Sequence, residues 1–180
     1  MALVPVVQKA LTAADERLQD PTTGFNANVA LSMRDEGLTK YAIDFSRTGR
    51  NYYVSDISAQ DFIVAAPWRT LPALTIGIAS GEDLKEIKGR DFSGMISIVV
   101  RVFLSWSGQM PPFDASKTVA ATLDALIQTF ASMEVASSWL LGEARYANGM
   151  TFEISPMARF SDGGDWMQVV GVVVPLRVDS

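Results

Sequence analysis

Residues 95–106 carry the clearest period-two pattern in the chain. Ile96, Ile98, Val100, Val102, Leu104 and Trp106 are all apolar, and side chains two apart share one face of a strand, so this face belongs on a core. The alternate positions, Met95, Ser97, Val99, Arg101, Phe103 and Ser105, are mixed. Gly108 and the pair Pro111–Pro112 stop the ladder, since proline has no N–H to give. Asp114 or Ser116 then caps a helix whose stripe is Val119, Leu123, Leu126, Ile127, Phe130 and Met133. Lys117, Thr122, Asp124 and Gln128 make its polar face.

An earlier helix is predicted over residues 3–20, with Leu3, Val7, Leu11, Ala14 and Leu18 as its stripe and Asp20–Pro21 as its stop. A second, short helix over 27–36 ends at Gly37. Residues 41–45 and 52–57 read as a hairpin about the polar turn 46–51. Pro72 opens a strand with Leu74, Ile76 and Ile78 on one side. Residues 81–91 are charged throughout and read as a solvated connector. In residues 150–160, Phe152, Ile154, Ala158 and Phe160 are assigned to the core and Thr151, Glu153, Ser155 and Arg159 to solvent, with Pro156 marking an edge or bulge. The turn 161–165 then leads into a valine-rich strand, 166–178. The class is α+β: a mixed or mostly antiparallel sheet of four to six strands, with an N-terminal helix and one long amphipathic helix packed on it. A single domain over 1–180 is expected, with no repeat or linker.

Composition narrows the chemistry. The 180 residues contain no cysteine and no histidine, so thiolate metal sites and histidine-based acid–base, nucleophilic or zinc chemistry are excluded. The net charge of −5 disfavours broad nucleic-acid binding. No apolar run is long enough to span a bilayer, and early charges at Lys9, Asp15, Glu16 and Arg17 do not suit a signal peptide; no membrane partner is expected. No glycine pattern cradles a phosphate. Asp162 and Asp165 around a Gly–Gly pair suit a hairpin turn better than a calcium loop. Glu134, Glu143 and Glu153 are the only candidates considered for a carboxylate acid–base site, and no spacing fixes a pair. Tyr52 and Tyr53 with Arg47 and Arg50 form a candidate aromatic–basic patch, more simply an ordinary hairpin surface. No cofactor and no metal are expected.

Val99 and Phe103 on one strand and Val169 and Val173 on the other exceed what helices on one side of a sheet can cover. Either the N-terminal helix or another subunit must supply a second layer.

The order of these segments resembles a known family. The run Ala-Leu-Thr-Ala-Ala-Asp in the first helix, Pro-Ala-Leu-Thr-Ile opening a strand, Ile-Ser-Ile-Val-Val-Arg-Val, Ala-Ala-Thr-Leu-Asp-Ala-Leu and the final valine-rich strand resemble the tail-terminator and neck (head–tail joining) proteins of long-tailed phages and related gene-transfer particles. The resemblance implies a non-enzymatic ring subunit, usually one of six copies, between tail tube and head connector. It implies a location in the virion, with assembly in the host cytoplasm, and DNA passing an acidic lumen without sequence-specific binding. The interface residues expected on this reading are Val99, Arg101, Phe103, Val169, Val173, Arg47, Arg50, Glu82, Asp83 and Lys85. The alternative is a non-enzymatic small-molecule or protein binding module whose sheet-floored pocket is lined by Phe103 and Trp106.

Overall fold

A computed structural model describes residues 6–38, 43–47, 49–54, 71–88, 91–106, 112–131, 139–140, 144–147, 149–159 and 165–178. The predicted positions 41–42, 55–70, 107–111, 132–138, 141–143 and 160–164 lie outside it.

Two helices come first, α1 (Val6–Leu18) and α2 (Phe25–Asp35). The bend between them is set by Asp20, whose carboxylate accepts the backbone N–H groups of Thr22 (2.9 Å) and Thr23 (2.7 Å). Those bonds hold the Asp20 pKa below the ordinary 3.8. Gly24 is required here: a Cβ would lie 2.4 Å from the Asp20 carbonyl oxygen and 2.6 Å from that of Leu18. At the other end of α2, Gly37 takes φ +74°, Leu38 N–H donates to Met33 C=O, and Gly37 N–H donates to Arg34 C=O. This is a Schellman cap, and Leu38 and Met33 are both buried beside it.

The strands follow: β1 (Tyr52–Val54), β2 (Ala73–Lys88) and β3 (Asp91–Trp106). After helix α3 (Pro112–Ala131) come β4 (Trp139–Leu140), β5 (Ala144–Tyr146), β6 (Thr151–Ile154), β7 (Ala158–Arg159) and β8 (Trp166–Val178). The sheet order is β1-β2-β3-β8-β5-β4, with β6 and β7 also on β8. Only β1 pairs parallel, with β2. The fold is thus α+β with a mixed sheet. One edge of β8 pairs with β3 from Gly94↔Val178 to Trp106↔Trp166. Its other edge is shared in turn by β7, β6 and β5, which fill one broken column.

Among the described residues, all three helices join the core built on one sheet face. Ile96, Ile98, Val100, Val102 and Leu104 of β3 meet Val170, Val172, Val174 and Leu176 of β8 there, with Ala14, Leu18, Val29, Leu126 and Phe130 above them. Helices α2 and α3 run antiparallel, pinned by Asn28–Thr129 (3.0 Å), Ser32–Asp124 (2.8 Å) and Glu36–Lys117 (3.2 Å). Thr122 was assigned to the polar face of α3 but is fully buried. Its hydroxyl donates to the Thr118 carbonyl four residues back, so the group is satisfied without water.

Three predicted segments differ. Residues 43–46 form no strand, because the Phe45 backbone N–H donates to Asn26 Oδ1 (3.0 Å) and its C=O accepts from Asn26 Nδ2 (2.7 Å); a side chain has taken the place of a ladder. β1 therefore pairs with β2 and not in a hairpin with 41–45. The charged connector is the distal part of the β2–β3 hairpin, paired to Lys88↔Asp91. Its sequence is polar, yet its backbone is paired as strand.

Candidate interaction surfaces

The alternate face of the sheet is more enclosed than its sequence suggests. Phe103 is fully buried, opposite Ala73 on one side and Val169 on the other. With Ala73, Met167 and Val169 it forms a small second core, against which Tyr53 and Leu71 pack. Val99 is also buried, and Val173 partly so. The expectation that Val99, Phe103 and Val169 form an exposed seam is therefore corrected. Neither the N-terminal helix, which lies on the other face, nor a second molecule is needed to bury them.

Arg101 sits on this face at the middle of β3. Its Nε donates to Glu153 Oε1 on β6, across the width of β8. Gly171 is the residue between them, paired with Arg101 on one side and Glu153 on the other. A Cβ at Gly171 would stand 2.9 Å from Glu153 Oε1 and 3.1 Å from the Val100 carbonyl oxygen. The glycine is thus the passage through which the ion pair closes. Beside it lies a depression of about 210 Å³, lined by Arg101, Glu153, Ile154, Ser155 and Val169. Typical small-molecule sites occupy roughly 300–1,000 Å³. Trp106 and Phe103, the expected floor of a ligand pocket, point to opposite faces and are both buried. They line no common cavity.

The arginines of the turn are also dispersed. Arg47 makes a 2.7 Å ion pair with Asp15 Oδ2 on α1, and Asp15 Oδ1 accepts the hydroxyl of Tyr52. Burial, and then this hydrogen bond, push the Tyr52 pKa well above 10.0. Arg50 is exposed, and its carbonyl accepts the Tyr53 hydroxyl. Tyr52 and Tyr53 belong to different cores on opposite sheet faces, so the aromatic–basic patch is not assembled. Of the three glutamates considered for acid–base work, Glu134 and Glu143 lie outside the described residues and Glu153 is committed to Arg101.

Glu82, Asp83 and Lys85 fall on the hairpin arm. Glu82, opposite Met95, is exposed; Lys85 is opposite Ser93. β8 ends its pairing at Gly94, so beyond Glu82 the two strands pair only with each other among the described residues. At about 3.3 Å per residue, the arm reaches on the order of 20 Å past the body. The candidate residues thus fall into three groups: the enclosed sheet face, the Arg47–Arg50 turn, and the arm.

One surface escaped the sequence reading. Phe152 is 63% exposed, Ile154 44% and Met157 41%. By register Phe152 and Ile154 share a face with Val172 and Val170, the helix-covered face, as their alternation implies. They lie beyond the helices' cover, at the outer column of the sheet. Ala158, also assigned to the core, pairs with Met167 on the other face and is exposed. Pro156 was the available signal, since it marks an edge.

No family model matches the chain, and no curated protein matches it. Among solved structures it is similar to a chain of the virion of a native gene transfer agent particle, with 16% identity and a TM-score of 0.41 over 94% of each chain. At that level the likeness does not establish a shared fold. Among the described residues, no helix is long and apolar enough to cross a membrane.

Proposed function

We propose that this chain is a non-enzymatic structural subunit of a phage-like particle, a tail-terminator or neck protein that assembles as a ring, six copies on this reading, between tail tube and head connector. The observation that carries the reading is the β2–β3 arm. Beyond Glu82 the hairpin pairs with no third strand among the described residues, and an isolated two-stranded hairpin is marginal in water. This one is kept, strongly charged in sequence and with two register shifts beyond Glu82, past the point where β8 pairing ends. Such an arm gains its stability by lying against something else. The charged residues along its strands, Glu82, Asp83, Lys85, Glu86, Lys88 and Asp91, suit a polar interface with a neighbouring copy. Its bulges and charges also blunt indiscriminate strand pairing.

The seam expected from Val99, Phe103 and Val169 gives no support to assembly, because one molecule hides those side chains. The arm takes over that role in the proposal. With a net charge of −5, DNA passing the bore would meet repulsion instead of a binding surface. The test is mass photometry of the full chain, alone and with a phage tail-tube protein from the same genome. A ring in either sample supports the reading. A strict monomer in both overturns it.

A further inference from the structure

The outer edge of β6 offers backbone as well as apolar surface. Ser155 N–H donates to the Val169 carbonyl at 2.9 Å. Antiparallel ladders alternate, so Glu153 and Thr151 also turn their backbone groups toward β8, and Phe152 and Ile154 turn theirs outward. Neither Phe152 nor Ile154 has a hydrogen-bond partner for those outward groups among the described residues. The same two residues carry the exposed apolar side chains. Between them, on the opposite face, Glu153 holds a half-exposed carboxylate, 43% accessible; its Oε1 accepts from Arg101, which leaves Oε2 without another partner among the described residues.

We infer that β6 is a strand-addition site for an extended segment of a partner protein whose residues alternate apolar, basic, apolar. Main-chain hydrogen bonds to Phe152 and Ile154 would hold the segment, and the alternate side chains would select it. The two apolar residues lie against Phe152 and Ile154. The basic residue falls opposite Glu153, in the closely spaced pair of the ladder, where opposite charges attract. The acidic net charge of the chain favours the same sign of partner. This inference stands apart from the ring reading, because it needs neither the arm nor a particular number of copies.

The probe is a blocked peptide of sequence Thr-Val-Lys-Val-Thr, titrated into the full chain and followed by amide NMR. Saturable binding is expected below about 1 mM, with the Phe152 and Ile154 amides shifting most and exchanging more slowly with solvent. N-methylation of both valines should weaken binding at least about tenfold, since each loses a ladder donor. Lysine-to-glutamate exchange in the peptide should weaken it about fivefold or more. The double variant Phe152→Ser, Ile154→Thr should lose binding with its melting temperature unchanged, as both side chains are exposed. No saturation by about 1 mM, equal affinity of the N-methylated peptide, or shifts centred elsewhere would overturn the inference. Self-association of the free chain through Phe152 and Ile154 would overturn the assignment to a partner protein.

Discussion

Tyr52 is held neutral by its surroundings: its ring is buried, and its hydroxyl proton is given to Asp15, which Arg47 also clamps. Because the folded pKa is raised, the folded state keeps this proton above pH 10 while the unfolded chain loses it. The contribution is complete below 10.0 and falls as pH rises past it. Thermal melts between neutral pH and pH 11 should therefore show a steeper alkaline loss in the native chain than in Tyr52→Phe. At neutral pH the variant should be less stable by about 1–2 kcal/mol, the worth of a hydrogen bond to a charged acceptor. Gly24 tests a different constraint. Its missing Cβ would strike two backbone oxygens that cannot rotate away, so Gly24→Ala should cost about 1–3 kcal/mol as the α1–α2 bend opens, measured by urea unfolding. Neither residue's role was legible in the sequence. Tyr52 reads as a surface aromatic until α1 brings Asp15 to it from 37 positions away.

At the scale of elements, legibility follows the core. α3 and β8 were readable because each presents a periodic apolar stripe to one packed face. Residue-level period two also placed Phe152 on the helix-side face, yet period says nothing about where the helices stop. The arm was misread for a related reason. Its strands carry no clean hydrophobic period in the sequence, and only their backbone pairing reveals them. β1 was misplaced because Asn26 captures the Phe45 backbone, a contact between residues 19 apart that no local pattern encodes. Gly171 is where three strands depend on one another. Gly171→Ala should push Glu153 from Arg101, loosen β6 and destabilise the chain by about 1–3 kcal/mol. Hydrogen exchange should report faster opening of Thr151–Ile154 than of β3.

For the whole molecule, Val99, Phe103 and Val169 are buried without help from another copy, so the proposed assembly is argued from what projects. That is the hairpin arm, with the β6 edge as a second, separately testable surface. The central claim is that the arm joins copies into a ring, and shortening it tests that claim most directly. Residues 83–94 would be replaced by an Asn-Gly turn, which closes a two-residue hairpin at Glu82 and Met95. Mass photometry would then be run on both forms with the tail-tube protein present. The account predicts rings from the native chain, and a monomer with an unchanged melting temperature from the shortened one. Rings of the same size from both forms would contradict it.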